Sequence, residues 1–486
     1  MHLPPVHRRQ GTLTHVSVAA PAPISTNPLR RLAGDILTER AFGEPLPPGP
    51  TKFSLSRTRA FARHPLPILL DAYERFGPIF SIRILHANGV FMLGPAANHY
   101  VTVSHADNFR WREGGLGDLI PLLGDGMLTI DGAYHRRARR IVLPAFHRER
   151  IAAAADVMLA EAERATASWS AGLRVDLYHW SRALALRVAQ RALFGFDPDA
   201  NSRDFDPAEE FERALGFYGR DYLLQILRGP RTPWSTLQRS RRRLDRLLYA
   251  EIARRRARGG LEERSDILSL LMAARDEDGS EFSDQELRDQ VMTLLFAGHD
   301  TTTSTVTFLF YELARDPAAR AALQEELDRV VGDRPVKAGD LAEPPDQLEM
   351  AIDETLRLYP PAWIGPRRNV EPFEFAGRRV PAGAPLYYCS WASHHLADVF
   401  DDPEAFRPER FAAEAKAALA KGAYVPFGGG SRTCIGMRFG QMEIRAIAAT
   451  ILRRFTVELE PGYEMSIRQM PTLSPRGGLP VTVRAR

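Results

Sequence analysis

Cysteine is scarce in this 486-residue sequence: it occurs twice, at Cys389 and Cys434. Two thiols exclude a disulfide framework and a four-cysteine zinc site. A chain this long draws its stability from burial and has little need of one bridge between them. That scarcity fits a reducing cytoplasm. Lysine is also rare, since Lys52, Lys337, Lys416 and Lys421 are the only ones among 64 basic residues and the rest are arginine. The formal net charge of +4 is too small over this length to announce a nucleic-acid binder. No run of about 18 apolar residues occurs, and the mildly apolar stretch 16–24 is broken by Pro21 and Pro23. No signal peptide or membrane anchor is therefore expected. With 44% hydrophobic and 26% charged residues, the composition is that of a folded protein rather than a disordered one.

Residues 1–45 read as a Pro- and Arg-containing extension. It leads into Leu46-Pro47-Pro48-Gly49-Pro50, a stiff string that cannot enter a helix or a central strand. No linker divides residues 46–486, so one domain is expected there, mainly α with minor β (α+β). Strand-like runs at 79–85 and 90–93 suggest a hairpin around Ala87-Asn88-Gly89, and a second strand region, 373–385, turns at Ala376-Gly377. Ser283-Asp284-Gln285-Glu286 spells a capping box, and nothing stops the helix it opens before Asp316-Pro317. Roughly 32 residues at about 1.5 Å each make a rod of about 48 Å whose apolar middle demands burial. A further helix runs from about 344 to 359, stopped by Pro360-Pro361. Another runs from 437 to 455 after a glycine-rich loop, and the Ala-rich stretch 412–423 reads as surface helix or loop.

Cys434 stands at the mouth of that last helix, beside the positive end of its dipole and unpaired backbone N–H groups, which favour thiolate over thiol. It reads as an anionic ligand, a nucleophile, or a buried cysteine near a turn. A nucleophile wants a histidine base, and no local cysteine-protease signature surrounds it, so a ligand fits better. Gly436 removes a side chain where something flat can approach closely. The whole string, Phe427-Gly428-Gly429-Gly430-Ser431-Arg432-Thr433-Cys434-Ile435-Gly436, resembles the haem-binding loop of cytochrome P450 enzymes at every fixed position. The resemblance implies haem b (iron protoporphyrin IX), with Cys434 as the iron's axial ligand, whose thiolate donation favours O–O cleavage. It also implies that Arg432 pairs with a haem propionate, as its permanent charge and forked donors suit, and that Phe427 packs on the sulfur side.

The middle of the long helix reads Ala297-Gly298-His299-Asp300-Thr301-Thr302. Ala297 and Thr301 are four apart and share a face. Glycine within a threonine cluster is a poor choice for a helix interior, costing about 1 kcal/mol relative to alanine, and such violations of local propensity mark functional sites. Read alone, Asp300 is a solvated charge and Thr301 a hydroxyl bonded back to a carbonyl. Beside the haem loop, the hexapeptide resembles the family's acid and alcohol pair, which supplies protons during dioxygen activation. Asp300 and Thr301 are then the implied catalytic residues, and His299 receives no role.

Glu354 and Arg357 are three apart on one helix face. With Leu358-Tyr359-Pro360-Pro361 after them they resemble the family's E-x-x-R helix, and Pro408-Glu409-Arg410-Phe411 resembles the loop whose arginine completes that triad. These are structural candidates. In Gly132-Ala133-Tyr134-His135-Arg136-Arg137-Ala138-Arg139-Arg140, His135 stands where the family often has tryptophan. With Arg139 four residues on, it still offers donors to a propionate. Arg367, by its distance past Arg357, is the other implied propionate ligand. The resemblance runs from about residue 46 to the C-terminus and implies the cytochrome P450 fold, a long central helix over haem with small β-sheets.

The implied activity is that of a haem-thiolate monooxygenase. One atom of O2 enters an apolar substrate, by hydroxylation or epoxidation of a lipid, terpene or steroid-like compound, and the other leaves as water. Two external electrons are needed, and no electron-carrier domain fits in the remaining residues, so a separate ferredoxin or flavodoxin with its reductase is expected. Arg136, Arg137, Arg140, Arg432 and Arg438 are candidates for a basic face that docks an acidic donor. By position, substrate contacts are expected from residues 111–123, 211–222, 296–301, 362–365 and 470–473. The alternatives are a peroxide-driven peroxygenase and a non-catalytic haem sensor, and Asp300-Thr301 argues against both. Arginine-rich stretches at 239–246 and 254–258, interrupted by Asp245 and Glu251, read as solvated helix faces rather than a nucleic-acid site. The expected location is the cytoplasm, without a transmembrane anchor.

Overall fold

The computed structural model describes residues 19–197, 207–220 and 222–486, so the first 18 residues of the extension lie outside the described part. In chain order, the elements that place the site are α1 (Pro28–Arg40), β1 (Ile79–Ile84), β2 (Ala87–Met92), β3 (Phe109–Arg110), α2 (Gly132–Val142), α3 (Leu177–Val188), α4 (Pro207–Leu215), α5 (Asp284–Arg315), α6 (Asp346–Leu358), β4 (Gly365–Asn369), β5 (Pro385–Tyr388) and α7 (Met437–Leu452). Helices predominate and the sheets are small, as expected from the sequence. No helix among the described residues is long and apolar enough to cross a membrane.

The capping box sets the start of α5. Ser283 Oγ accepts the Glu286 amide at 3.2 Å, and Glu286 Oε2 accepts the Ser283 amide at 2.8 Å. The helix then runs unbroken for 32 residues to Asp316-Pro317. From Leu287 to Leu313 every residue is buried except Phe296, Ala297, Gly298, Thr301 and Tyr311. A helix enclosed on all sides must satisfy its polar side chains internally. Thr303, Thr305 and Thr307 do so by donating to the carbonyls four residues back, at 2.8, 3.0 and 2.7 Å. Phe308 stacks on Tyr359 at 4.2 Å between centroids.

The five-stranded sheet has the order β1-β2-β5-β4-β3, with β2 and β5 parallel and the other neighbours antiparallel. The proline string lies along β1, where the Pro48 and Pro50 carbonyls accept the Ser81 and Arg83 amides at 2.9 and 3.1 Å. Gly49 sits against that strand, and a Cβ there would come within 2.0 Å of the Ser81 carbonyl oxygen. The β1–β2 register pairs Ile84 with Ala87, so the chain turns at Leu85-His86 and not at Ala87-Asn88-Gly89. Tertiary partners override the local turn signal: Thr58 Oγ1 accepts the Leu85 amide, and Glu39 holds both the backbone and the side chain of Asn88. The second hairpin turns at Ala376-Gly377 as its sequence suggests, both residues having positive φ.

Arginine-rich Pro233–Arg258 is a single helix whose guanidiniums are largely committed. Arg243 pairs with Glu210, Arg254 with Glu251 and Arg256 with Asp284. Arg255 departs from the solvated face expected of it: it is buried and bonded to Glu251, Asp266 and Ser269.

Where α7 crosses α5, Glu443 Oε2 accepts the Thr302 hydroxyl at 3.2 Å, while Glu443 Oε1 is buried without a partner. Burial pushes this carboxyl up to about 8, against a smaller opposing effect from Thr302. The folded state thus holds the proton more tightly than the unfolded chain. Stability is full below the ordinary value of 4.5 and falls as pH rises toward about 8, by up to about 1.4 kcal/mol per unit. In Glu443→Gln that component disappears. Thermal unfolding of both proteins between pH 5 and 8 will show the variant gaining on the wild type as pH rises.

Candidate active site

The glycine-rich loop is shaped by one close approach. A Cβ at Gly430, whose φ is +61°, would sit 2.3 Å from the Thr102 carbonyl oxygen, so only glycine lets the loop lie there. The loop closes where the Cys434 amide donates to the Phe427 carbonyl at 2.9 Å, and α7 begins three residues later. Cys434 keeps accessible surface, yet protein surrounds it closely enough that burial raises its thiol pKa, with the Gly436 amide and Arg139 opposing. The two observations agree for a side chain that faces an internal space. Gly436 opens onto the same region, because a Cβ there would meet only Phe146 Cε1 at 4.0 Å. Cys389, by contrast, is buried and free, its thiol pushed up to about 12 by burial.

The loop's position comes from α6. Arg357 donates through Nε and Nη2 to the two Glu354 oxygens at 2.7 and 2.8 Å, both side chains being fully buried. Its remaining donors reach the carbonyls of His394, Pro403 and Ala405, and Arg410 Nε lies 3.4 Å from Glu354. Burial and nearby Arg357 hold the His394 imidazole down at about 3, so it is neutral. Its Nε2 accepts the Val425 amide at 3.0 Å, which leaves Nδ1 to donate to the Arg357 carbonyl at 3.1 Å. His394 thereby links the buried ion pair to the strand of chain that enters the cysteine loop. Nothing local in the sequence marks it.

Around Trp111 the structure gathers cations. Arg367 lies 3.8 Å and Arg432 4.7 Å from the indole centroid. Arg432 donates to the carbonyls of Met127 and Ile130 and to Asp131 at 2.7 Å. Burial pulls Arg432 down to about 10; Asp131 opposes this, and Arg367, Arg139 and Arg110 add to it. Arg367 is buried and also lowered by burial. His135, buried near Arg432, Arg139 and Arg136, is held down at about 3. Among the described residues, neither Arg367 nor Arg139 has a carboxylate ion pair, and Asp131 alone answers the group. Buried like charges with too few counter-charges suit a ligand that carries carboxylates.

In the middle of α5, partial exposure at Ala297 and Thr301 marks a face open to the interior. The Thr301 hydroxyl donates to the Ala297 carbonyl at 2.6 Å. Asp300 is not a solvated charge: it is buried, with Oδ1 3.2 Å from Arg182 Nη2 and 3.5 Å from His299 Nδ1. His299 Nε2 lies 3.0 Å from Glu212 Oε1, and Arg182 Nε donates to the same oxygen at 2.6 Å. Burial works to raise Glu212, but His299 and Arg182 outweigh it and hold this carboxyl at about 2. Asp300 is thus fixed in a ring with three other charged or polar side chains, Arg182 on α3, Glu212 on α4 and His299 on α5. Arg182, Glu212 and His299 went unassigned in the sequence because they meet only in the fold.

Two of the expected lining segments meet α5 further along. The Leu473 carbonyl accepts the Ser304 hydroxyl at 2.5 Å, and the Leu473 amide donates to Pro361 at 3.2 Å. Phe211 is buried against the His299 ring, while the side chain of Tyr222 lies outside the described residues. Among the described residues no cluster of three or more His, Cys, Asp and Glu side chains could hold a metal. The Cys434 thiol beside a carboxylate-seeking cation group fits an iron porphyrin bearing propionates.

The cytochrome P450 family model matches residues 45–479. The chain belongs to the cytochrome P450 family. It is therefore a haem-binding oxidoreductase of the monooxygenase class. It is 37% identical over 366 residues, 74% of its own length and 78% of the relative's, to cyclooctatin synthase of Streptomyces melanosporofaciens. To the pentalenene oxygenase of Streptomyces avermitilis it is 32% identical over 346 residues, 71% of this chain and 76% of that one. Among solved structures, retinoic acid bound cyanobacterial CYP120A1 superposes with a TM-score of 0.81 at 27% identity, covering 92% of this chain and 100% of that chain.

The cation group makes a direct prediction about this P450. Metal-free protoporphyrin IX will raise the apoprotein's melting temperature more than its dimethyl ester does, because each charged bond lost costs about 1.5–3 kcal/mol. The difference will shrink in Arg367→Leu and Arg432→Leu.

Proposed function

We propose that this protein inserts one atom of dioxygen into an apolar, terpene-sized substrate, with electrons from a separate donor. The observation that carries the reading is the interior-facing Cys434 on a loop beside buried, under-compensated cations. Cys434 would supply the thiolate that binds the haem iron, with Phe427 packed nearby and Gly436 leaving room for a flat ligand. Arg139, Arg367, Arg432 and His135 would hold the propionates, His135 as a neutral donor. Haem, when bound, supplies the dioxygen chemistry, and its thiolate ligand favours O–O cleavage.

The chain's own contribution on the other side is proton handling. The Thr301 hydroxyl is oriented by the Ala297 carbonyl, which leaves its oxygen lone pairs free to accept a hydrogen bond in the open face. Asp300, one residue earlier and held by Arg182, is the acid that resupplies the proton. This acid and alcohol pair favours dioxygen with externally supplied electrons over peroxide-driven chemistry or a silent sensor. The substrate class is supported by the apolar residues Phe296, Ala297, Trp363, Ile364 and Leu473 in the expected lining segments, and by relatives named cyclooctatin synthase and pentalenene oxygenase.

The electron donor is a ferredoxin or flavodoxin with its reductase, acting in the cytoplasm. Its docking face is smaller than the arginine count suggests. Arg137 is committed to Glu286, Arg140 to Asp276, and Arg432 points inward to Asp131. Arg136 and Arg438 stay exposed. Charge reversal at these two residues will lower the electron-transfer rate at low salt and erase most of its salt dependence. An unchanged salt profile in stopped-flow reduction removes them from the interface.

The central test is the absorption spectrum of the reduced, carbon-monoxide-bound protein. The wild type will give a strongly red-shifted Soret band, and Cys434→Ser will lose it while retaining bound haem. A wild type that loads haem without that band overturns the ligand assignment. Titration of terpene hydrocarbons against the ferric Soret band then tests the substrate class.

A further inference from the structure

The family match begins at residue 45, yet the described chain before it is docked with care. In α1, Asn27 Oδ1 accepts the Leu29 and Arg30 amides at 3.0 and 3.3 Å and caps the helix. No α1 residue is fully buried, though Leu32 and Ile36 are half-buried, and polar anchors on three turns tie the helix down. Glu39 bonds Arg83 at 3.0 Å and Asn88 Nδ2 at 2.7 Å. Asp35 pairs with His86 and Arg368; burial works to raise its carboxyl, but these two partners hold it below the usual range. One turn earlier, Arg31 pairs with Asp118 and donates to the Gly114 carbonyl at 3.0 Å.

The residues before α1 continue over the same stretch. The Ala22 carbonyl accepts Arg112 Nε at 3.0 Å. Ile24 sits on Gly117 so closely that a Cβ there would be 2.7 Å from Ile24 Cδ1. Arg112 is a buried pin whose Nη1 reaches Asp125 at 2.7 Å and the Thr129 carbonyl at 2.9 Å. Without Ala22, one of its buried donors would have no acceptor, a loss that the rest of the pin cannot absorb freely.

The far side of this stretch faces the active site. Trp111 carries the Arg367 and Arg432 contacts. Past residue 120 the chain is fastened to α5: Arg288 donates to the Leu122 carbonyl at 2.9 Å, and Asp289 Oδ2 accepts the Asp125 amide at 2.9 Å. Between Trp111 and Leu119 no comparable bond to α5 occurs among the described residues. There the stretch is held from β4 and Asp131, with Arg368 Nε donating to the Glu113 carbonyl at 3.3 Å and the Arg112 amide to Asp131 at 2.9 Å, and on its outer side by Ala22, Ile24 and Arg31.

The geometry points to a specificity-determining strap: residues 22–31 set the position of residues 112–119, and through them the size of ligand the pocket admits. This rests on reading residues 111–123 as pocket lining. The strap acts by holding the lining in place and touches no reacting atom.

The test uses the haem-loaded full chain, wild type against Arg31→Ala, with Asp118→Ala as the reciprocal variant. Two readouts are taken: hydrogen exchange of residues 112–119, and the Soret-detected Kd of imidazole, a small probe, and clotrimazole, a bulky one. Both variants are expected to speed exchange in 112–119 at least threefold and to lower the clotrimazole-to-imidazole Kd ratio at least threefold. The double variant should add little to either single one. Unchanged exchange overturns the strap and leaves the lining assignment standing. Faster exchange with an unchanged or raised ratio overturns the specificity role, and with it the lining assignment, while the reduced carbon-monoxide band reports separately on the haem site.

Discussion

The fold around the active site depends on one buried ion pair, Glu354 with Arg357. Both side chains are wholly enclosed, so each charge must be answered by fixed partners. Arg357 meets that demand with two bonds to Glu354 and three to backbone carbonyls in the stretch 394–405. Glu354 in turn accepts the Arg407 amide. A surface pair at this spacing would be worth little, but breaking a buried one costs about 3–5 kcal/mol because the remaining charge stays uncompensated. The arrangement therefore tolerates only one path for the chain between α6 and the cysteine loop. His394 passes that constraint on to Val425.

Charge is distributed very differently on the two sides of the site. Beside the cysteine loop, arginines crowd around Trp111 with Asp131 as their acidic partner, an excess that suits a dianionic ligand. At the middle of α5, Arg182 and His299 face the carboxylates of Glu212 and Asp300 in a four-member ring that holds its acid in place. The first arrangement suits a cofactor that carries carboxylates. The second keeps an ionisable group buried at a position where water has limited access. Arginine serves both better than lysine, since its planar fork can bond several acceptors at once and remains charged when buried.

The N-terminal strap adds a polar layer to a family fold without enlarging its core. Its anchors are ion pairs and hydrogen bonds, each modest when exposed, which together act on the outer side of a stretch that β4 and Asp131 hold from within. Such a contact can alter what the pocket admits without altering the chemistry.

Several features were legible in the amino-acid sequence alone because their causes are local. The capping box and Asp316-Pro317 determined both ends of α5, the Ala376-Gly377 dipeptide determined its turn, and the ten residues around Cys434 carried the resemblance to the family that the chain belongs to. These signals are completed by atoms a few residues apart. The tertiary structure decided the rest. It moved the first hairpin's turn to Leu85-His86, buried Asp300 and Arg255, turned Arg432 inward, and tied Arg137 and Arg140 to acids on other elements. Each outcome depends on partners distant along the chain, and a charge looks the same in sequence whether it meets water or an opposite charge. Only folding brings the partners together and determines which arginines remain free.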